Sequence, residues 1–536
     1  MSGAEAAALA WLAIDPDPET RAETEALLAV GDEAGLADRF GERLAFGTAG
    51  LRAALGAGPN RMNRVVVQQT SAGLARFLLG REESPTAVVG YDGRRNSRVF
   101  AQDAAAVLAG AGVATTLLPS ALPTPVLAFA VRHLDASAGV MITASHNPAP
   151  DNGYKLYLGG EDGGSQLVPP DDEAVQAAIE AVAAAGALPP RSADAAVADD
   201  GLLQRYVAAT AAVATGTGEL AWVYTPMHGV GLGTVTRVLE AAGLPAPAVV
   251  AEQAEPDPAF PTAPFPNPQE PGTLDLAFAL AERTGARLVL ANDPDADRLA
   301  VAVPAADGTG WRRLTGNEAG LLLAWRLAAT GTGALACSIV STPGLAVVAE
   351  RFGRRHVETL TGFKWISRVP DLAFGFEEAL GYLVDPGTVR DKDEISALVA
   401  VLSAALERPI EDLLAEIEAS IGRYDSDQVN LRLEDPAAIE AVMRRLREDP
   451  PAAIGGLDVV AAEDLAAGGE GLPPSDVLRY RLADGARVIV RPSGTEPKVK
   501  AYLDAVSTAP TPEERLAATT ARLAALRAGV QHLFAE

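Results

Sequence analysis

The sequence predicts an α/β protein of several domains, and three observations support this. Short apolar runs alternate with helical periodicities from about residue 86 onward. That rhythm breaks in a stretch rich in Ala, Pro and Asp, restarts near 221 and restarts again near 315. The 536 residues also exceed what a single hydrophobic core supports, so three or four domains with clefts between them are expected.

Asp17 as cap and Pro18 at the first turn open an N-terminal helix. The first α/β domain, 1–200, then reads as strand 86–90, helix 99–111, strand 115–118 and strand 139–143, the last running into a polar loop, TASHNP. The low-complexity stretch 183–201 reads as a linker or surface excursion that closes this domain. The second domain, 201–312, has strand 221–224, a helix from Gly233, strand 248–251, helix 274–283 and strand 287–290. Its proline-dense loop, 256–271, cannot form regular structure because each proline removes a donor and fixes φ, which leaves polyproline II or a covering loop. The third domain, 313–424, has strand 338–341 and helices from Gly344 and Asp393. The last, 425–536, is different: strands near 477–482, 487–490 and 499–505 precede a helix from Pro512, a smaller α+β domain.

Hydrophobic residues make up 48% and charged residues 21%, and no run approaches the ~20 apolar residues of a membrane span. Residues 1–9 lack the basic start and apolar core of a secretory signal. Cys337 is the only cysteine, so no disulfide forms within the chain and a cytoplasmic location is expected. A formal charge of −26 argues against nucleic acid or an anionic membrane as partner, and an anionic small substrate then needs a locally basic pocket. Lysine is scarce. Arginine supplies all but five of the 44 basic residues, and those five, Lys155, Lys364, Lys392, Lys498 and Lys500, all fall beside the motifs below.

TASHNP, 143–148, sits where a buried strand ends in a turn, the place where α/β sheets put ligands. Taken alone it fits either a nucleophilic Ser145 or a plain Asn-Pro turn. NDPDADR, 292–298, follows strand 287–290, and carboxylates at alternate positions can converge on a hard cation. An EF-hand fails here, because Arg298 and Pro304 stand where that loop needs Gly and Glu. Magnesium suits so few carboxylates, with water or phosphate oxygens completing its shell. GTAGLR, 47–52, and RPSGTEPK, 491–498, are small-residue loops with adjacent cations that let backbone N–H groups approach phosphate. GVGLG, 229–233, lacks the last glycine of a dinucleotide fingerprint and reads as a close strand-to-helix turn.

Taken in order, FGTAGLRA, TASHNPAPDNGYK, NDPDADR, GFEEALGY and RPSGTEPK resemble the motifs of the α-D-phosphohexomutase superfamily, the phosphoglucomutases and phosphomannomutases, over nearly the whole chain. YTPMHGVG and RMN make it most similar to the phosphoglucomutase-2 and phosphopentomutase branch. The resemblance implies four domains around a central cleft, three related α/β domains with mixed sheets and a smaller C-terminal one. It implies that Ser145 is the phosphorylated residue, that Asp293, Asp295 and Asp297 bind Mg²⁺ together with an oxygen of that phosphate, and that Arg298 faces the transferring phosphate. Arg52 and His146 would flank the serine, and Lys155 would exchange a proton with the reacting hydroxyl. Glu377 would hold sugar hydroxyls, Thr361, Gly362 and Lys364 would tell the ends of the sugar apart, and Arg390 and Lys392 would add charged contacts. Arg491, Ser493, Gly494, Thr495 and Lys498 would hold the phosphate that is not transferred. Many hexomutases have Ser where this chain has Ala379, which bears on hexose preference.

The expected activity is a phosphosugar mutase, foremost a phosphoglucomutase interconverting glucose 1-phosphate and glucose 6-phosphate with glucose 1,6-bisphosphate as intermediate and activator. Phosphomannomutase and phosphopentomutase are the alternatives. A serine-based metallophosphatase is more remote, because dinuclear sites of that type recruit several histidines and only His146 of five lies in a candidate catalytic motif. A sugar-phosphate sensor would not need a phosphorylatable serine beside three carboxylates.

Overall fold

The computed structural model describes residues 3–47, 50–433, 435–469, 471–493 and 498–535. Residues 1–313 with 381–407 form one compact unit, and 314–380 with 408–536 form another.

The first unit carries two mixed sheets. In the first, β1 (Leu51–Ala54), β2 (Thr86–Tyr91), β3 (Ala114–Leu117), β4 (Ala138–Ile142), β5 (Asp151–Leu158), β6 (Ser165–Gln166) and β7 (Ala196–Val197) pair in the order β1-β5-β4-β2-β3-β7, with β6 against β5. β2, β3, β4 and β7 run parallel, while β4–β5 and β5–β1 are antiparallel. β4 is buried along its full length, as an apolar run in the middle of a covered sheet should be. The second sheet orders β8 (Trp222–Thr225), β9 (Ala248–Val249), β10 (Leu288–Asn292), β11 (Leu299–Pro304) and β12 (Trp311–Arg313) as β12-β11-β10-β8-β9. Its β8, β9 and β10 are parallel and β11 antiparallel to β10, so the two sheets share one plan. In each, a central parallel strand, β4 or β10, turns back through a short loop into an antiparallel neighbour.

The second unit contains the parallel strands Ala334–Ser338, His356–Thr359 and Leu372–Glu377, and a separate antiparallel sheet of six strands. That sheet runs Arg423–Arg432, Lys498–Ser507, Arg487–Pro492, Leu478–Leu482, Leu457–Asp464, Ala453–Ile454, with the helices Pro436–Glu448 and Pro512–Ala535, which agrees with the α+β reading. A capping box between Thr315 and Glu318 opens the helix Gly316–Thr330.

Several sequence expectations are corrected. The strand expected at 338–341 is Ala334–Ser338. Ile339 and Val340 lie in the following turn, buried against Leu360, Ile489 and Tyr502, so their β-branched character reflects core packing rather than pairing. The supposed linker is only partly irregular: Ala196 and Val197 add a parallel edge to β3, and the helix Asp200–Ala211 follows. The polar segment after TASHNP is a buried strand, β5, because β1 and β4 cover both its edges. Asp17 caps the helix Pro18–Val30 as predicted. Among the described residues no helix is long and apolar enough to cross a membrane.

Candidate active site

The loops between β4 and β5 and between β10 and β11 bring TASHNP and NDPDADR together inside the first unit. Each loop holds a non-glycine residue in the left-handed region, Ser145 at φ 53° and Ala296 at φ 55°, a strained conformation that the surroundings must enforce. For Ser145 the enforcement is visible. Its amide donates to Thr143 Oγ1 at 2.8 Å. Arg94, 4% exposed, donates to the carbonyls of Ser145 at 2.6 Å, Pro148 at 3.0 Å and Asp151 at 3.1 Å, and to that of Asn147. The Arg94 guanidinium lies 4.9 Å from the centre of the Phe260 ring. Arg94 was missed from the sequence; the run YDGRR after strand β2 was the available signal.

The Ser145 hydroxyl donates to Asp293 Oδ2 at 2.8 Å and lies 3.3 Å from Asp297 Oδ1 and 3.1 Å from His146 Nδ1. Asp293, Asp295 and Asp297 are fully buried and can offer oxygens within 4.8 Å of one another. Each carboxylate has one oxygen committed to groups other than Ser145. Asp293 Oδ1 accepts from the Asp297 amide at 3.0 Å; Asp295 Oδ2 accepts from Thr124 Oγ1 at 2.6 Å and Lys155 Nζ at 2.8 Å; Asp297 Oδ2 accepts from Lys155 at 2.6 Å and Lys392 at 2.9 Å. What remains is one oxygen from each, beside the serine hydroxyl, and Asp295 Oδ1 is buried with no hydrogen-bond partner. A hard cation fits that set of donors.

The electrostatics follow from this crowding. Burial and then the charges of Asp295 and Asp297 push Asp293 well above the usual carboxylate range. Burial also pushes Asp297 up, but Lys155 and Lys392 outweigh it and hold the group well below its ordinary value. Burial alone would lower Lys155, yet Asp295 and Asp297 raise it, so the amine stays an ammonium. A buried lysine of lowered pKa would also have suited proton transfer; two carboxylates in hydrogen-bond range reverse that sign. His146 is pushed well below its ordinary value by burial and then by Arg298 and Arg52, so its ring is neutral near pH 7.

Arg52 lies on β1 opposite Gly153 of β5, where a side chain would come within 2.5 Å of the Thr143 carbonyl. Arg52 Nε is buried with no hydrogen-bond partner. Arg298 reaches Asn267 and Gln269 of the proline-dense loop, each at 3.4 Å, and Phe265 of that loop has its ring 6.0 Å from His146. The loop is therefore a cover over the serine. Gly229 lets the turn after β8 touch the carboxylate loop, since a Cβ there would sit 2.3 Å from Pro294 Cα. Arg390 stands near Arg132, whose pKa burial and then Arg390 lower.

In the second unit, the strand Leu372–Glu377 ends on Glu377, whose Oε1 accepts from the Gly362 amide at 2.6 Å. Gly362 has φ 112°, a conformation that favours glycine, and it follows Thr361 and opens the short helix Phe363–Ile366 bearing Lys364. Glu378 Oε2 accepts from Ser338 and Ser341 hydroxyls at 3.3 and 3.2 Å. Arg491 lies opposite Lys500 and bonds the Tyr502 hydroxyl, and the Ser493 amide donates to the Lys498 carbonyl at 2.8 Å. Gly494 and Thr495, expected to bind phosphate, lie outside the described residues, as do Thr48 and Ala49 of GTAGLR.

Family models for the phosphoglucomutase/phosphomannomutase α/β/α domains I, II and III match residues 43–185, 204–308 and 315–420, and the model for the C-terminal domain matches 429–522. The chain belongs to the α-D-phosphohexomutase superfamily. A Haemophilus influenzae protein named probable phosphomannomutase is 48% identical over 88% of this chain and 97% of its own length. The human phosphopentomutase is 36% identical over 92% of this chain and 90% of its own. A crystal structure of a Thermus thermophilus protein, provisionally called a phosphomannomutase, superposes with a TM-score of 0.69 at 25% identity, covering 90% of this chain and 99% of that one. This phosphohexomutase is accordingly a phosphotransferase of the mutase type, with the four-domain fold of its superfamily.

Proposed function

We propose that this phosphohexomutase works through phosphorylated Ser145, and that glucose 1-phosphate and glucose 6-phosphate are its principal pair. The observation that carries the serine assignment is its hydroxyl, 1% exposed as a residue, 2.8 Å from Asp293 Oδ2 and 3.3 Å from Asp297 Oδ1, in a cluster of three carboxylates where Asp295 Oδ1 has no hydrogen-bond partner. A magnesium ion held by Asp293, Asp295, Asp297 and an oxygen of the phosphorylated Ser145 would neutralise charge on the phosphoryl group.

In the forward half-reaction the free hydroxyl of the sugar monophosphate attacks phosphorus. The bond from phosphorus to Ser145 Oγ breaks, one to the sugar oxygen forms, and the hydroxyl proton leaves. Lys155, held as an ammonium, can give a proton to the departing Ser145 oxygen and be restored from the attacking hydroxyl. Lys392 meets the same Asp297 oxygen, and its 16% side-chain exposure, against 1% for Lys155, leaves it the more open of the two to a bound sugar phosphate. Arg298, braced by Asn267 and Gln269, faces the transferring group. Glucose 1,6-bisphosphate then turns around and returns its other phosphate to Ser145. Glu377 with the Thr361, Gly362 and Lys364 loop holds the sugar, while Arg491, Ser493, Gly494, Thr495 and Lys498 hold the idle phosphate.

Mannose and pentose phosphates form the second reading. The names of the relatives favour it, and so does Ala379, which removes a hydroxyl from the sugar loop. A lost hydrogen bond is worth about 0.5–1.5 kcal/mol net, enough to relax discrimination without excluding glucose. Intact-mass and peptide mapping should find phosphate on Ser145 of the purified protein. A panel of sugar 1-phosphates should then show glucose converted fastest, and Ala379→Ser should raise the hexose-to-pentose ratio of kcat/KM by no more than about tenfold. Ribose or deoxyribose 1-phosphate turning over far better than any hexose would replace the glucose assignment with the pentose one.

A further inference from the structure

Two lysines, Lys155 of strand β5 and Lys392, meet on Asp297 Oδ2. Lys155 sits on β5 and reaches the oxygen directly at 2.6 Å. Tyr157, two residues further along the strand and so on the same face, is fully buried and donates its hydroxyl to Asp391 Oδ2 at 2.8 Å. Gln166 of the adjoining strand β6 donates to the same oxygen at 2.7 Å. Asp391 is the residue before Lys392, whose Nζ reaches Asp297 Oδ2 at 2.9 Å. On the other side of Lys392, Asp393 accepts the Tyr206 hydroxyl at 2.7 Å and caps the helix Glu394–Glu407 through the amides of Ile395 and Ser396.

We propose that Tyr157 and Asp391 are positioning residues for Lys392, a clamp by which one strand aims both lysines at the same carboxylate oxygen. The inference rests on reading Lys392 as facing the reacting phosphoryl group. Asp391 is fully buried, meets only neutral donors, and keeps its Oδ1 without a hydrogen-bond partner. Burying a carboxylate on such terms is costly, and a neutral side chain could hold a loop at lower cost. What Asp391 adds is a doubly bonded anchor on β5 and β6, one residue before Lys392. The clamp lies within residues 381–407, which pack with the first unit although the third family model spans 315–420.

The scarcity of lysine makes the clamp directly measurable. Full-length protein grown with lysine ¹³C-labelled at Cε gives signals from only five residues, and Lys392→Met identifies the one from Lys392. Tyr157→Phe, a conservative change, and Asp391→Asn should each shift or broaden the Lys392 signal and leave those of Lys364, Lys498 and Lys500 in place. An unmoved Lys392 signal in both variants overturns the clamp, whatever the substrate proves to be. In turnover, each variant should lower kcat about tenfold with KM within about twofold, and neither should cost anything further in the Lys392→Met background. Losses that add fully to that of Lys392→Met would mean that Tyr157 and Asp391 act only on the general fold. If Lys392→Met itself turns over normally, the reading of Lys392 falls, while the lysine spectra still decide the geometry.

Discussion

Buried charge serves different ends in the two compact units. In the first, Arg94, Lys155, Asp293, Asp295, Asp297 and Asp391 stand in the serine and carboxylate cluster or directly behind it. Among the buried charged residues of the second, Arg479, Arg487 and Asp504 tie strands together. Arg487 donates to Asp504 at 2.9 Å, to Glu358 at 3.1 Å and to the Ser341 carbonyl, while Arg479 bonds Glu358 at 2.7 Å. Glu358 belongs to the parallel strands and the arginines to the antiparallel sheet. The buried charge around Ser145 therefore serves chemistry and that between the strands of the second unit serves cohesion, and substitutions at these residues should separate activity from stability accordingly.

The sharpest separation should come from Ser145→Ala. Turnover should fall by more than about a thousandfold, since no other group can carry the phosphoryl, while thermal unfolding changes little because a loop hydroxyl adds little to packing. Near-normal activity would remove the serine from the mechanism. Asp295→Asn comes next. It keeps an acceptor for Thr124 but removes the charge on the carboxylate of the three that has an unpartnered oxygen, so Mg²⁺ affinity and kcat should each fall about 10–100-fold. Unchanged magnesium binding by calorimetry would break the metal assignment.

Arg487→Met inverts the pattern. Removing one partner from a buried charge network costs about 3–5 kcal/mol, and here it strands Asp504 and weakens the hold on Glu358. Denaturant unfolding should show a loss of at least about 3 kcal/mol. The kcat of the folded fraction should remain within about threefold of wild type. A protein of normal stability but crippled turnover would mean that the second unit, too, uses its buried charge for chemistry.

The same contrast explains what could be read from the sequence. Motifs whose residues act on one another across a single loop, such as Ser145 with His146 or Asp293 with Asp297, are contiguous and were legible. Their supports are not contiguous. Arg94 reaches Ser145 across 51 residues and Asp391 meets Tyr157 across 234, so no local pattern announces them. Strand β5 was missed for a related reason: DNGYKLYL looks polar, and its burial comes from neighbours on both sides rather than from its own composition. Ile339 and Val340 misled in the opposite direction, being apolar and β-branched yet buried in a turn. The proline-dense loop was correctly denied regular structure, but that it covers the serine through Phe260 and Phe265 depends on contacts formed only in the fold.

The smallest effect expected is one of pH. His146 is held below its ordinary value by burial and then by Arg298 and Arg52. As pH falls through about 6.5 the unfolded chain takes up a proton at this residue, and the folded protein does so only at lower pH. Protonation therefore favours unfolding, and His146 should cost the protein stability progressively below about pH 6.5, with no effect above it. Metal-free protein stripped of phosphate should accordingly lose more melting temperature between about pH 7.5 and 5.5 than its His146→Asn variant does. Parallel curves for the two proteins would show that neither burial nor the arginines hold the ring below its ordinary value. Phosphorylated Ser145 sharpens the test, because its anionic phosphate beside Nδ1 raises the histidine again and should shrink or reverse the difference. His356 in the second unit is also held low, chiefly by burial, but it stands apart from Ser145 in the chain and bonds Cys337 instead. Its contribution to the pH slope should be indifferent to serine phosphorylation, so a phosphate-dependent slope that disappears in His146→Asn and survives in His356→Asn would assign the effect to the serine loop.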